Sequence, residues 1–259
     1  MKKQLRVIKI GGNVINSETE LDSFLSDFAE LQGLKILVHG GGKKATEIAD
    51  SMGLEPKMIG GRRITDEANL EVVTMVYAGL LNKNIVAKLQ AKDCNALGLS
   101  GADANVIEAH KRIVKEIDYG FAGDIDQVEN KIISLFLNAG ITPVFSAITH
   151  NKKGQLLNTN ADTIAAEVAN SLSVDFDVEL IYCFEKNGVL KDVEDDESVI
   201  ECINSKSYEL LKSEGVINQG MLPKLENCFN SLQNGVGSVI LGKPELIRDR
   251  NNKHTRLTL

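Results

Sequence analysis

The chain has 259 residues, 43% of them hydrophobic, and carries a formal net charge of −7 at pH 7. That is enough apolar chain to bury a sizeable core, as one large α/β domain or as two lobes. The acidic balance, with a pI of about 5.3, excludes a basic nucleic-acid-binding surface, since phosphate backbones are held by excess lysine and arginine. The four cysteines are widely spaced with no C-x-x-C, which excludes the common zinc and redox motifs, so metal sites are expected to be absent. No apolar h-region precedes the first strand and no apolar run reaches membrane-spanning length. The expectation is a cytoplasmic protein that engages neither membrane nor nucleic acid.

The first apolar run, Leu5 to Ile10, predicts a strand that ends in Gly11-Gly12, with Lys9 just before the turn. Leu21, Phe24, Leu25, Phe28 and Leu31 then mark one face of an amphipathic helix. Leu34 to Val38 predicts a second strand, which also enters a glycine turn, His39-Gly40-Gly41-Gly42. Alone, a Gly-Gly after a strand makes a tight turn. Repeated at two strand ends it suggests phosphate handling, because backbone N–H groups without a neighbouring Cβ can approach an anion closely.

Gly40 to Ala45 also has the G-x-G-x-x-A spacing of a dinucleotide site, which makes a nicotinamide oxidoreductase a competitor. That fingerprint needs an acid at the end of the next strand, roughly 20 residues on, and Pro56 to Thr65 contains none. A Walker-type P-loop is absent from the sequence.

Gly60-Gly61-Arg62-Arg63 places paired arginines before a helix, where a guanidinium can clamp a carboxylate. Leu70, Val73, Val76, Tyr77, Leu80 and Leu81 mark the apolar face of that helix. A strand at Ala96 to Leu99 follows, then a stripe of Val128, Ile132, Leu135, Phe136 and Ala139, then a strand over Ile141 to Ile148. The polar turn Asn151 to Gly154 and a short strand at Gln155 to Leu157 complete an antiparallel hairpin.

Asn158-Thr159-Asn160-Ala161-Asp162 enters the next helix, whose core face is Ile164, Ala165, Val168, Ala169 and Leu172. Asn160 or Asp162 there suits an N-cap or a first-turn carboxylate, and catalysis is compatible with either. Ser171 to Asp177 is the expected lobe boundary, which divides the chain into lobes 1–172 and 173–259. Strands at Val178 to Cys183 and Val236 to Leu241 flank an acidic stretch, Val193 to Glu197, expected as an exposed loop. Between them Gly220-Met221-Leu222-Pro223-Lys224 starts a helix, and Lys224 in its first turn opposes the helix dipole. Alternating strands and helices of this kind build a mainly parallel open sheet covered on both faces, a three-layer α/β/α sandwich.

Lys9-Ile10-Gly11-Gly12, His39 to Gly42, Gly61-Arg62-Arg63-Ile64-Thr65, Asn158 to Asp162 and Gly220 to Lys224 are collinear over nearly the whole chain. Together they resemble the amino-acid kinase family, and within it the members that phosphorylate N-acetylglutamate. The resemblance implies an α/β/α sandwich with a substrate-binding amino-terminal lobe and a nucleotide-binding carboxyl-terminal lobe. It implies transfer of the ATP γ-phosphoryl to the side-chain carboxylate of an N-acylated glutamate in arginine biosynthesis, with Mg2+ carried by ATP. Lys9 and Lys224 would neutralise the phosphoryl from opposite sides, and Asp162 would orient both. Gly11, Gly12, Gly41 and Gly42 would line the phosphate path, while Arg63 and Asn158 would hold the α-carboxylate. Because the chain starts almost at its first strand, the resemblance also implies an arginine-insensitive homodimer, with the Leu70 to Leu81 helix at its interface.

The sequence departs from the family pattern in places. Phe184-Glu185-Lys186-Asn187-Gly188-Val189 stands where the family has Asp-Val-x-Gly-Val, which makes Glu185 and Gly188 the nucleotide-lobe candidates. Ala122 replaces a common valine, and His150 is unusual near the expected acyl pocket. The smaller Ala122 admits a larger acyl group and His150 can meet a second carboxylate, which raises N-succinyl-L-glutamate as a second candidate substrate. Two further readings stay open: a family kinase acting on aspartate, glutamate, carbamate or a nucleoside monophosphate, and a catalytically silent small-molecule sensor.

Overall fold

The computed structural model describes residues 2–59, 62–192, 194–217 and 221–259. In chain order the strands are β1 (Lys3–Ile10), β2 (Leu34–His39), β3 (Met58–Ile59), β4 (Arg62–Arg63), β5 (Ala96–Leu99), β6 (Ile107–Lys111) and β7 (Gly123–Val128). They continue with β8 (Thr142–Phe145), β9 (Ile148–His150), β10 (Leu156–Asn158), β11 (Phe176–Cys183), β12 (Cys202–Asn204), β13 (Ser238–Gly242) and β14 (His254–Thr258). The helices are α1 (Gly12–Asn16), α2 (Glu18–Glu30), α3 (Gly42–Ser51), α4 (Glu67–Val73), α5 (Asn82–Gln90), α6 (Asn130–Asn138), α7 (Ala161–Leu172), α8 (Ser205–Ser213) and α9 (Leu222–Gln233).

The main sheet runs β12-β14-β13-β11-β1-β2-β8-β5. From β13 to β5 every neighbour is parallel, and β14 is antiparallel to β13. Strands buried on both faces read as continuous apolar runs, and here Val7, Ile8, Ile10, Ile36, Leu37 and Val38 are fully buried. α7 lies against β1, β2 and β11, with α6 and α9 beside it, while α2 and α5 pack on one another against the sheet to form an α/β/α sandwich. A buried lysine closes the end of α2: Lys35 Nζ donates to the carbonyls of Phe28, Ala29 and Leu31 at 2.7, 2.7 and 2.8 Å.

A second sheet, β10-β9-β6-β7, stands apart from the main one. It corrects the single strand expected over Ile141 to Ile148, which breaks at Ser146-Ala147: β8 stays in the main sheet and β9 enters the small one. The stripe expected from Val128 to Ala139 is also shifted. Val128 ends β7, α6 buries Ile133 and Leu137, and Leu135 is 62% exposed. The helix expected over Leu70 to Leu81 is present, but Thr74–Leu81 is π-helical. Its wider i→i+5 turns rotate Leu80 out of the expected apolar face, to 43% exposure, while Tyr77 and Leu81 stay buried. The acidic stretch at 194–197 is exposed, as expected, and Val193 lies outside the described residues.

Candidate active site

In an open parallel sheet a ligand crevice opens at the carboxyl ends of the strands, where the strand order reverses. Here the order reverses beside β1. β2, β8 and β5 extend the sheet on one side, and β11 and β13 extend it on the other. Lys9, Gly11 and Gly12 end β1, and Gly40 to Gly42 end β2, so both glycine turns sit at this crevice. A Cβ at Gly41 would overlap Leu81 and come within 3.0 Å of the Tyr77 ring, so packing against the π-helical segment demands a glycine there. Below the turn, the fully buried His39 ring makes a 2.8 Å contact from Nδ1 to the Gly40 carbonyl, and its Nε2 lies 3.1 Å from Asn82 Nδ2. Nδ1 therefore carries the proton and Nε2 accepts. Burial, offset by the bond to Gly40 and helped by Lys83, lowers the imidazole to about 4 and keeps it neutral.

The amino end of α7 points into the same crevice. Asn160 caps the helix by accepting from the Asp162 and Thr163 N–H groups at 2.8 and 3.1 Å, which places Asp162 in the first turn. Asp162 Oδ1 lies 2.7 Å from Lys9 Nζ, and Oδ2 lies 3.7 Å from Lys224 Nζ. The Lys9 ammonium and Asp162 Oδ1 form an ion pair. Burial pushes the Asp162 carboxyl up, but the charges of Lys9 and Lys224 outweigh this and hold it below the ordinary carboxylate range. Lys224, in the first turn of α9, spreads over the Phe184 and Tyr182 rings at 5.0 and 5.7 Å, while the Tyr182 hydroxyl donates to the Asp162 carbonyl at 3.1 Å. Gly60, Gly61 and Gly220 of the sequence motifs lie outside the described residues.

A cavity of about 470 Å³ runs from Lys9 and Asp162 past Gly12, Gly41 and Gly42 to Arg63, Asn158 and Ala122. Arg63, only 7% exposed, donates to the Gly42 carbonyl and Thr46 Oγ1 at 3.0 and 2.6 Å, and its buried Nε has no partner. Arg63 also lines the cavity, and a guanidinium there suits an anionic ligand. Asn158 donates through Nδ2 to Thr65 Oγ1 at 3.0 Å, and its backbone N–H bonds the Phe121 carbonyl at 2.9 Å, which places it beside Ala122. His150 is not among the residues lining this cavity. It sits in β9, where Nδ1 accepts from the Lys152 N–H at 3.3 Å, so the structure does not place it beside Ala122 as the sequence suggests. Sequence reasoning missed Thr46, Tyr77, Arg112 and Tyr119, which all line the cavity.

On the other side of the triad, Gly11 and Gly12 share a cavity of about 550 Å³ with Phe184 and Glu185. Glu185 and Gly188 also line a smaller, largely apolar cavity of about 300 Å³ with Val189, Leu190 and Met221. Gly188 is required by packing, since a Cβ would lie 2.5 Å from Thr255 Oγ1. No helix among the described residues is long and apolar enough to cross a membrane.

The model of the amino acid kinase family matches residues 4–243. An acetylglutamate kinase of Bacteroides fragilis is 55% identical over 241 residues, 93% of this chain and 92% of that protein. Another, from Cytophaga hutchinsonii, is 54% identical over 97% of this chain and 96% of its own. Among solved structures, smu.665 from Streptococcus mutans UA159 superposes with a TM-score of 0.79 at 27% identity, covering 98% of each chain. A carbamate kinase from Giardia lamblia shares the fold at a TM-score of 0.70 and 14% identity, covering 99% of this chain and 98% of that one. The alternation of strands and helices, the paired glycine turns and the match over most of the chain lead to one conclusion: this chain belongs to the amino acid kinase family.

Proposed function

We propose that the protein transfers the γ-phosphoryl of ATP to the side-chain carboxylate of an N-acylated L-glutamate, the step that the name of its acetylglutamate kinase relatives describes for N-acetyl-L-glutamate. Such a kinase serves arginine biosynthesis. The observation that carries this reading is the Lys9–Asp162–Lys224 cluster at the mouth of two glycine turns. A carboxylate nucleophile is already ionised near pH 7 and needs no general base. What remains is alignment and cancellation of charge, and here the chain supplies both.

Lys9 and Lys224 approach the transferring phosphoryl from opposite sides, and the Asp162 carboxylate between them holds both ammonium groups in place. Backbone N–H groups at Gly12, Gly41 and Gly42 face the developing charge, while Arg63 and Asn158 hold the α-carboxylate. The apolar cavity at Phe184, Gly188, Leu190 and Met221 takes the base of the nucleotide, beside Glu185. On this division residues 1–172 bind the acyl amino acid and residues 173–259 bind ATP. Mg2+ would arrive with ATP, on its phosphates, since Asp162 is held between the two lysines. Bound there, the ion would add charge neutralisation on the phosphates.

A cytoplasmic homodimer completes the proposal. Met75 and Leu80 on the π-helical segment are 52% and 43% exposed, which offers an apolar strip for a second copy. A monomer by light scattering would remove that part. The activity is tested by trapping the acyl phosphate with hydroxylamine in the presence of ATP and Mg2+. Hydroxamate from N-acetyl-L-glutamate is expected, with none from aspartate, glutamate, carbamate or a nucleoside monophosphate. Turnover of one of those in its place would assign the site to another family reaction, and no turnover of any would favour a silent sensor.

A further inference from the structure

N-acetylglutamate carries two carboxylates, and the cavity already matches both, the reacting one at the lysine pair and the other at Arg63 and Asn158. The same cavity holds further cations, among them Arg112, close to Tyr119, Ala122 and Gly123. Arg112 is anchored rather than loose. Its backbone N–H donates to the Ala122 carbonyl at 2.7 Å, and its side chain is 24% exposed. Nε and Nη2 grip the Asp124 carboxylate at 3.1 and 2.6 Å, and the guanidinium carbon lies 5.6 Å from the centre of the Tyr119 ring. A fork of this kind fixes the plane of the guanidinium and leaves its other edge, Nη1 with the second Nη2 hydrogen, free to take a second carboxylate.

The backbone sets the spacing. Asn158 pairs with Ala122, and Ala122 is bonded in turn to Arg112, so the three stand in adjacent rows. Rows of this kind are about 4.8 Å apart, which puts roughly 10 Å between the backbones of Asn158 and Arg112. Ala122, whose side chain is a methyl, stands in the row between them. A four-carbon diacid arm extends roughly 4–5 Å from its amide carbon to its terminal carboxylate, at C–C bonds of about 1.5 Å. A glutamate held on Asn158 thus presents an acyl arm of that length towards Arg112, and an acetyl group stops short of it.

We propose that Arg112, oriented by Asp124, is a specificity residue of this site, and that the acyl group it reads ends in a carboxylate, as in N-succinyl-L-glutamate. The inference rests on the phosphotransfer reading above. It gives Arg112 the role that the sequence suggests for His150, with Ala122 supplying the room.

The test is steady-state kinetics with ATP and Mg2+ on the N-acetyl, N-succinyl and N-butyryl derivatives of L-glutamate, the butyryl arm matching succinyl in length without its charge. Wild-type protein is expected to show a kcat/KM for succinyl at least about 10-fold above both others. Arg112→Gln should lower the succinyl-to-acetyl ratio by about 10–100-fold, mainly through KM. Asp124→Asn should give a smaller loss in the same direction. Ala122→Val, which leaves the ion pair intact, should reduce succinyl turnover more than acetyl and serves if Arg112→Gln fails to fold. Preference for acetyl, equal use of butyryl and succinyl, or an unchanged ratio in both Arg112→Gln and Ala122→Val would overturn the inference while the kinase reading stands. Turnover of none of the three would overturn both.

Discussion

The phosphate end and the acyl end of the cavity are built differently. At the phosphate end, the candidate groups sit within a few residues of strand or helix termini: Lys9 at the end of β1 and Gly12 after it, Gly41 and Gly42 after β2, Asp162 in the first turn of α7, Lys224 in the first turn of α9. Each is placed by the local geometry of its own element, and Asp162 joins the lysines through one ion-paired carboxylate. At the acyl end, Arg63, Thr65, Arg112, Tyr119, Ala122 and Asn158 come from separate stretches, and cross-strand pairing in and around the small sheet brings them together. On the proposed reading, the parallel sheet positions the groups for phosphoryl transfer and the small sheet those that select the substrate.

Breaking the phosphate end has the largest expected effect. Lys224→Ala or Lys9→Ala should lower kcat by at least about 10²-fold, since each removes a preorganised charge from the transferring phosphoryl. Initial rates at saturating ATP measure this, and retained turnover in Lys224→Ala would refute the two-lysine arrangement.

A pH series probes the support beneath the second glycine turn. His39 titrates near 4 in the folded protein against 6.5 for the free side chain. Above pH 6.5 both states are neutral and the full stability is present. Between pH 6.5 and about 4 the unfolded chain takes up a proton that the native one refuses, so stability falls, by on the order of 3 kcal/mol at most. Urea unfolding at pH 7 and pH 4.5 should show this loss in wild type and a shallower one in His39→Asn, in which the amide can still donate to the Gly40 carbonyl.

At the acyl end, Arg63→Gln should raise KM for the acyl amino acid by about 10–100-fold with a smaller change in kcat, because it removes a ground-state contact to a carboxylate. Thr46→Ala withdraws one of the acceptors that hold Arg63, at 2.6 Å, and should raise the same KM by only about 3–10-fold. An equal effect on kcat in either variant would mean that the two ends are not separable in the way described.

The same contrast explains what was legible in the sequence. The parallel core was readable because strands buried on both faces leave unbroken apolar runs, as in Ile36 to Val38, and because glycine and cap residues mark their ends. Lys9, Asp162 and Lys224 were readable for the same reason, each lying beside such a mark. Arg112 and Tyr119 carry no comparable signal, since cross-strand pairing brings them into the cavity. One clue was available: Ile107 and Ala109 are buried and alternate with Glu108 and His110, the pattern of the half-buried strand β6. The π-helical Thr74–Leu81 defeats a 3.6-residue period, which is why that period puts Leu80 on the wrong face. The break at Ser146-Ala147 was hidden because both sides of it are buried and apolar.

Attack by a substrate carboxylate oxygen on the γ-phosphorus is the central claim, and isotope transfer tests it most directly. N-acetyl-L-glutamate labelled with ¹⁸O in its side-chain carboxylate is incubated with ATP, Mg2+ and the wild-type protein, and the product phosphorus is followed by ³¹P NMR. The expected result is an acyl phosphate resonance displaced by a bridging ¹⁸O, appearing in step with ADP. ADP accompanied only by unlabelled inorganic phosphate, with no labelled acyl phosphate at any time, would contradict it.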